Sequence, residues 1–345
     1  MSTDLAMPKR SRGRPTPASQ APYEAALKRW CAGIIEMSEE RAKQPDYFEV
    51  SSRGWCYLLE EHDLPKDDFD TAQGLINDCR KSGLLPLDIC CEDERRKADN
   101  VEDLDDEDPI AKAAELVAYI NEAGGYYYPH SFWEAQEYYV EMAVEKVDVK
   151  NLFRSVCEPF HLAITNIGGW CDLNARAAMM RRFKYWEGRG KPCVLLPFTD
   201  HDPGGFNICR HLRSNLEELS KTVKWSPDNL IIDRFGLDAD FIRRNRIRWI
   251  ENLRTSKGEY PLDDPRHHDH YHDYVQDYLR KFGARKVEAN ALVVPRLVAP
   301  ARALCRRAIL KYLPADAPEE YQSSLELPRR KLSAEIRRLL KAGVR

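Results

Sequence analysis

The sequence predicts an α/β fold in which a helical N-terminal unit precedes a mainly parallel sheet flanked by helices. Four strand-like apolar segments alternate with helical segments after about residue 109. Such alternation is typical of a parallel sheet covered on both faces. Before residue 92 the apolar spacing is largely helical. The chain has 345 residues, which is enough for two domains of ordinary size.

The first unit, residues 22–91, has the element order of a winged helix-turn-helix domain. A helix is predicted from Pro22 to about Lys43. Two further helices, "SSRGWCYLLEEH" and "DTAQGLINDCRKSG", flank a proline-containing turn, and Gly83 takes a position that ends helices. The short apolar "LLPLDI" that follows is predicted as a strand-like wing. This order indicates a domain that docks on DNA.

Four basic residues are candidate DNA contacts. Arg80 and Lys81 lie near the end of the last helix of this unit. Arg12 and Arg14 belong to residues 1–21, predicted as a disordered basic arm, and their Arg-Gly-Arg-Pro sequence is the core of an AT-hook. An extended Arg-Gly-Arg fits the narrow minor groove of A·T-rich DNA. A solubilising basic tail explains the same residues equally well, so both interpretations stay open.

An acidic run at residues 92–108 is predicted as a solvated linker to a second unit, residues 109–345. A helix at about 109–123 leads into the alternating part of the chain. Its strands are "EYYVEMAVE", "LAITNI", "PCVLLPFT" and "NLIIDRF", and its helices are "DVKNLFRSVCEPF", "ARAAMMRRFKYWEG" and "GFNICRHLRSNLEEL". Beyond residue 290, two helical segments are predicted to close the domain.

Composition narrows the class of protein. A hydrophobic content of 43% and a charged content of 32% describe a globular protein, and no apolar run approaches the roughly 20 residues of a membrane span. Ten cysteines without a CxxC pair favour reduced thiols and a cytoplasmic location. The net charge of −3 hides basic stretches such as "PKRSRGRP" and "RRNRIR". Local charge matters more than the sum for a phosphate-backbone partner.

Acidic residues follow two of the predicted strands. Glu145 ends the first, and Asp200 and Asp202 end the third. Ligands of parallel α/β sheets bind at this end of the strands, and carboxylates two positions apart in an extended segment share a side. Such oxygens suit Mg²⁺, while Gly204 and Gly205 would let the backbone approach an anion. The alternative, a turn with an aspartate helix cap, stays open.

These motifs resemble a known family. "AVEK" followed by "LLPFTDHDPGG" is similar to the Toprim domain, and "SSRGWCYLLEE" with "CRKSGLLPLDI" is similar to the winged helix that accompanies Toprim in the A subunit of topoisomerase VI. The eukaryotic relative is the transesterase that makes meiotic double-strand breaks. "KVEANALVVPRL" resembles a late Toprim-region segment of the phage, plasmid and bacterial stand-alone relatives. The resemblance covers roughly residues 48–312 in the family's order.

The resemblance implies roles for individual residues. Glu145, Asp200 and Asp202 match the acids that bind Mg²⁺ beside the scissile phosphate, with Glu145 also a proton relay. The family's Arg-x-x-Tyr-Tyr motif carries the nucleophile on its second tyrosine. Here the motif is "RGWCY", so Tyr57 falls on the nucleophile and Arg53 on the phosphate-contacting arginine, while a cysteine replaces the first tyrosine.

The implied activity is that of the A subunit of a type IIB topoisomerase, which is a DNA-cleaving transesterase that leaves a 5′-phosphotyrosyl break in double-stranded DNA. In the family the tyrosine of one protomer meets the acids of the other, which implies a homodimer. A separate ATPase subunit is also implied, because topoisomerase VI needs one and this chain has no Gly-rich phosphate loop of its own. The location would be the cytoplasm, on the nucleoid. A metal-dependent nuclease that uses water and a non-catalytic DNA-binding module are the alternatives.

Two further features have more than one interpretation. The segment "DDPRHHDHYHDY" holds His267, His268, His270 and His272, and such clusters can bind zinc. It follows Asp-Pro and lacks HExxH or paired cysteines, which favours a surface loop. Glu288, within "KVEANAL", is either an additional carboxylate of the acidic site or a structural residue at a strand end.

Overall fold

A computed structural model describes residues 5–9, 17–91, 108–168, 173–255 and 259–342. Four strands form the sheet: β1 Tyr139–Val144, β2 Ala163–Asn166, β3 Cys193–Phe198 and β4 Ile231–Ile232. The helices in this part of the chain are α1 Pro17–Ala42, α2 Ser52–Glu60, α3 Phe69–Lys81, α4 Pro109–Glu122, α5 Val147–Cys157, α6 Leu173–Glu187, α7 Pro203–Glu217, α8 Ser220–Val223, α9 Ala239–Arg244, α10 Asp273–Phe282, α11 Pro295–Ile309 and α12 Ala317–Ala342. None of them combines the length and apolar character of a membrane span.

The four strands form one parallel sheet in the order β2-β1-β3-β4. All six residues of β1 and all six of β3 are buried, as expected of central strands with both faces covered. The predicted α/β class with a parallel sheet flanked by helices is therefore confirmed. In the sheet, β2 lies on one side of β1, and β3, the next strand along the chain, lies on the other side. The crevice between the carboxyl ends of β1 and β3 is the topological switch point, where such sheets bind ligands.

Aromatic side chains from the helices pack onto the sheet. Phe153 of α5 meets Phe198 of β3 edge to face, with ring centroids 5.2 Å apart, and Phe183 of α6 does the same with Tyr139 of β1 at 5.9 Å. These rings are buried. The contacts bury large apolar areas in favourable ring geometries, and so hold the strand ends in place.

The N-terminal unit is helical, as predicted. Helix α1 begins at Pro17, so the last residues of the predicted disordered arm are helical. Helix α2 begins after Ser51, whose hydroxyl accepts a hydrogen bond from the Gly54 N–H at 3.1 Å. This is an ordinary serine N-cap. Six consecutive residues of α2, Gly54 to Leu59, are buried, which makes this helix a core element.

The strand-like wing predicted for "LLPLDI" is wrong. These residues form turns and a short 3-10 helix at Leu87–Ile89. The Trp55 indole N–H donates to the Ile89 carbonyl at 2.7 Å and ties the segment to α2. Leu85 and Ile89 are buried while Leu87 is 71% exposed, so the apolar residues fill the space beside the helices. The helix-turn-helix order is present in the described residues, but the wing is not a strand.

The two predicted units share one hydrophobic core. Trp55 and Tyr57 of α2 belong to the same contiguous buried cluster as Val144 and Phe198 of the sheet. A polar contact joins the units as well, because the buried carboxylate of Asp148, at the start of α5, accepts hydrogen bonds from the N–H and the hydroxyl of Ser51. Most of the acidic run predicted as a linker, residues 92–107, lies outside the described residues.

Candidate functional site

Glu145 and Asp200 meet at the switch point of the sheet. The Glu145 N–H extends the β1–β3 ladder by donating to the Phe198 carbonyl at 3.0 Å, so Glu145 directly follows the paired part of β1. Its side-chain Oε2 accepts a hydrogen bond from the Asp200 N–H at 3.0 Å. Two strands that end side by side thus bring together residues 55 positions apart in the chain.

Lys146 lies between these two carboxylates. Its Nζ is 2.8 Å from Glu145 Oε1 and 3.0 Å from Asp200 Oδ2. Burial alone would lower the pKa of Lys146, but the charges of Asp200 and Glu145 outweigh it and raise the pKa. The ammonium therefore stays charged and bridges the acids. The sequence assigned no role to this lysine, although "AVEK" places it next to the glutamate.

Asp202 points toward helix α7. Its Oδ1 accepts a hydrogen bond from the Gly205 N–H at 2.6 Å and caps the helix, so the helix-cap interpretation is confirmed for this residue. Gly205 is required for space, because a Cβ there would lie 2.3 Å from the Asp200 carbonyl oxygen. The glycine lets the helix start pack directly on the acidic turn. The other carboxylate oxygen of Asp202 is not used by the cap.

The acids at this turn hold their protons unusually well. Burial, and next the charge of Glu145, raise the pKa of Asp200 to about 7. Burial, followed by the charge of Asp200, raises the pKa of Asp202 to about 6. Both carboxyls therefore keep their protons to a higher pH than an exposed aspartate does. Perturbed carboxylates in a crevice are typical of functional sites.

Arg53 and Tyr57 of α2 converge on Glu288. The Arg53 guanidinium contacts both Glu288 oxygens at 3.1 Å, and the Tyr57 hydroxyl donates to Glu288 Oε2 at 2.9 Å. Burial alone would raise the pKa of Glu288, but the charges of Arg53 and Lys286 lower it. Tyr57 is 0% exposed, and burial, followed by the charge of Glu288, raises its pKa well above the ordinary value. The phenol is therefore neutral and covered.

Glu288 also links this group to the acidic turn. The N–H of the next residue, Ala289, donates to Asp200 Oδ1 at 2.8 Å, and Lys286 Nζ lies 3.6 Å from Glu288 Oε1. The segment 286–289 thus connects the arginine and tyrosine of α2 to the carboxylates at the sheet. The Glu288 carboxylate itself contacts Arg53, Tyr57 and Lys286, and the contact to Asp200 is made by the backbone of Ala289. Both interpretations of Glu288 therefore stay open.

The donor chemistry at the turn fits a hard divalent cation. Mg²⁺ usually takes one or two protein carboxylates and completes its shell with water and phosphate oxygens, and Glu145 with Asp200 supplies such a pair. An ammonium already lies between them, which marks the place as favourable for a cation. Among the described residues, one set of three possible ligands has all its ligand atoms within 4.8 Å of one another, and it is His267, His268 and Asp269. The acids Glu145, Asp200 and Asp202 are more widely spaced than that.

The histidine segment does not resemble a metal site in its ring geometry. The rings of His267 and His268 stack with centroids 4.5 Å apart and 20° between their planes. Ring-nitrogen lone pairs lie in the ring planes, so two nearly parallel stacked rings do not point at one ion. The Asp269 carboxylate contacts His268 at 3.2 Å and His272 at 3.4 Å. His267 is buried, however, and its Nε2 has no hydrogen-bond partner among the described residues, so the loop and metal-site interpretations both stay open.

The candidate DNA contacts Arg80 and Lys81 bind residues of their own helical unit. Arg80 donates to the Leu87 carbonyl at 3.0 Å and so holds the 3-10 turn after α3, while Lys81 pairs with Asp78 at 3.1 Å on the surface. Arg12 and Arg14 lie outside the described residues. A DNA-binding role for all four stays a prediction.

No protein-family model matches the chain, and no curated protein matches it significantly. The class that the fold itself defines is a parallel α/β protein with a charged, acid-rich crevice at its switch point.

Proposed function

We propose that this protein is a Mg²⁺-dependent DNA-cleaving protein similar to the A subunit of topoisomerase VI. The observation that carries the proposal is the pair of carboxylates at the switch point of a parallel sheet, the partly buried Glu145 and the buried Asp200. When bound there, Mg²⁺ would supply positive charge beside a phosphodiester and lower the pKa of a coordinated water. Glu145 and Asp200 would hold it, with Asp202 beside them.

Arg53 is the proposed phosphate contact. Two guanidinium nitrogens bind Glu288, while Nη1 reaches Asp70, at 2.9 Å. The Asp70 side chain is 96% exposed, and exposed ion pairs contribute little stability. A DNA phosphate could therefore replace Asp70 without disturbing the buried part of the network. Guanidinium groups bind phosphate oxygens in a planar geometry and stabilise the charge that develops there.

Water is the proposed nucleophile, because Tyr57 is fully buried and donates its hydroxyl hydrogen to Glu288. Tyr57 transesterification, which would leave a 5′-phosphotyrosyl DNA, is the second candidate. One observation favours it: Tyr57 shares Glu288 with Arg53, and that segment contacts Asp200. The tyrosine is thus linked to the acidic turn through Glu288 and Ala289.

The helical N-terminal unit and the basic segments of the chain support the proposal that double-stranded DNA is the substrate. The homodimer, the nucleoid location and the separate ATPase partner stay predictions from the family resemblance. A non-catalytic DNA-binding module is the remaining alternative.

The test is cleavage of supercoiled DNA with Mg²⁺, with EDTA as the metal-free arm, followed by denaturation with and without protease. We expect wild-type protein and Tyr57→Phe to cleave with Mg²⁺, and Asp200→Asn and the EDTA arm not to cleave. A protein–DNA adduct that disappears in Tyr57→Phe would instead assign the tyrosine as nucleophile. Binding without cleavage by wild-type protein under any divalent metal would leave only the DNA-binding module.

A further inference from the structure

We propose that Lys146 fills the cation position of the acidic turn in the metal-free protein, and that its ammonium must leave before a divalent cation can bind Glu145 and Asp200. Lys146 would thereby set the metal affinity of the site and restrict it to ions of double charge. This role rests on the proposed function, because it presumes a divalent cation at the two carboxylates.

The carboxylate oxygens that face Lys146 are the two that the backbone does not use. Glu145 accepts the Asp200 N–H with Oε2 at 3.0 Å, and Asp200 accepts the Ala289 N–H with Oδ1 at 2.8 Å. The remaining oxygens, Glu145 Oε1 and Asp200 Oδ2, lie 2.8 Å and 3.0 Å from Lys146 Nζ. Backbone hydrogen bonds thus direct one oxygen of each acid toward a common point, and the ammonium occupies that point.

The ammonium and a metal ion cannot share this point. Mg²⁺ binds carboxylate oxygens at about 2.0–2.1 Å, so an ion held by both oxygens takes the space that Lys146 Nζ fills. The side chains of Glu145 and Asp200 are only 10% and 5% exposed, so little water is present to screen the repulsion between two cations. Metal binding therefore requires Nζ to leave the acids.

Lys146 can move while the acids stay in place. Its side chain is 31% exposed, and a lysine carries its charge on a flexible four-carbon stem. The residue lies in extended backbone between β1 and α5 and its side chain does not cap the helix. Its carbonyl accepts the Lys150 N–H at 3.1 Å, which holds the backbone when the side chain swings out. The ammonium can therefore turn into water without disturbing Glu145 or Asp200.

The charge balance favours a divalent ion over the ammonium. Glu145 and Asp200 carry two negative charges when both are ionised, and the Lys146 ammonium neutralises one of them. A divalent ion neutralises both. Sodium or potassium brings no more charge than the ammonium and lacks its covalent tether, which keeps the effective concentration of the ammonium high. Lys146 therefore excludes monovalent ions and yields to divalent ones.

The first experiment measures metal affinity directly. Mn²⁺, a spectroscopic probe for Mg²⁺, is titrated into wild type, Lys146→Met and Lys146→Gln, and the free ion is followed by electron paramagnetic resonance. Binding that is lost in Asp200→Asn belongs to this site. We expect its Kd to fall about 10-fold or more in both Lys146 variants, because the competing charged hydrogen bonds are gone.

The matched control is Lys81→Met, which removes a surface lysine paired with Asp78 at 3.1 Å and should leave the Kd unchanged. If Lys146→Met does not fold, Lys146→Gln, which keeps a hydrogen-bond donor for the acids, gives the answer. An unchanged or higher Kd in Lys146→Gln would overturn the proposal, because the lysine would then not compete with the ion.

The second experiment uses the unaltered protein. Lysine side chains are acetylated with a limiting amount of acetic anhydride, with and without bound Mn²⁺, and the modified fraction of each lysine is read by peptide mass spectrometry. Once released from the acids, Lys146 should react several-fold faster when the ion is bound. Lys81, whose side chain is 77% exposed, should react equally in both conditions. An equal rate at Lys146 with the ion bound would show that the ammonium stays in place and would contradict the proposal.

These measurements separate the role of Lys146 from the proposed function. If Mn²⁺ binds as expected but wild-type protein does not cleave DNA, the proposed function fails and the role of Lys146 stands. If wild type binds no ion and Lys146→Gln does, Lys146 blocks the site, which supports its role and opposes metal-dependent cleavage. If neither protein binds an ion that depends on Asp200, the role of Lys146 and the metal site fail together.

Discussion

Replacing Asp200 with asparagine should make the protein progressively more stable than the wild type as the pH rises. Asp200 is 3% exposed, and burial followed by the charge of Glu145 raises its pKa to about 7. In the unfolded chain an aspartate has a pKa of about 3.9. At pH values between these two pKa values, Asp200 holds a proton in the folded protein that it has lost in the unfolded chain. The free energy of unfolding therefore falls as the pH rises from about 4 to about 7.

The size of the effect follows from the two pKa values. Their difference corresponds to a destabilisation of the folded protein by about 4 kcal/mol above pH 7, and by roughly a third of that at about pH 5. The asparagine variant does not carry this titration. Its free energy of unfolding, relative to wild type, should therefore increase by about 3 kcal/mol between about pH 5 and about pH 8. Any constant effect of losing the contacts to Lys146 and Ala289 cancels in this comparison.

Urea unfolding of wild type and Asp200→Asn at the two pH values, without divalent metal, measures this difference. Asp78→Asn, an exposed aspartate on α3 with 72% of its side chain accessible, is the matched control for removing one carboxylate. A relative stability of Asp200→Asn that stays constant, or declines, as the pH rises would refute the reasoning that Asp200 is a buried acid with a raised pKa.

Two further substitutions test the packing of the site. Gly205→Ala should lower the free energy of unfolding by about 2 kcal/mol and reduce cleavage, because its Cβ would lie 2.3 Å from the Asp200 carbonyl oxygen. Gly204→Ala, whose Cβ would meet only a side-chain oxygen at 3.3 Å, is the matched control, and equal losses in urea unfolding would contradict the steric argument. Asp148→Ala should lower the free energy of unfolding by about 3 kcal/mol, because it leaves the Ser51 N–H and hydroxyl without their buried acceptor. A loss below about 1 kcal/mol in urea unfolding would show that water replaces the carboxylate.

The strands and most helices could be predicted because their signals are local. Segments such as "PCVLLPFT" are short, apolar and rich in strand-forming residues, and β3 forms there. The prediction of a strand-like wing failed because it too was based on local apolar character. "LLPLDI" is apolar as well, but its buried residues, Leu85 and Ile89, fill the space beside the helices of the same unit. Apolar character predicts burial, whereas pairing into a sheet needs a neighbouring strand.

The place of the acids could also be predicted. Strand alternation implies a parallel sheet, and parallel strands bring their carboxyl ends to one edge, so Glu145 and Asp200 were expected to meet. The direction of each side chain could not be predicted. Asp202 turns to cap α7, and Lys146 occupies the space between the other two acids. These details depend on which partner lies nearest in space.

The sequence by itself determined the α/β class, the parallel sheet and the position of acidic residues at its edge. Hydrophobic periodicity and the alternation of strands with helices along the chain are local properties. Only the tertiary structure decided that Arg53 and Tyr57 bind Glu288 of the same chain. Arg53 and Glu288 are 235 positions apart, and no pattern in either segment encodes the pairing. It results from the docking of α2 on the sheet domain through Asp148 and the shared core. Such docking depends on the fit of two surfaces, which a single sequence does not display.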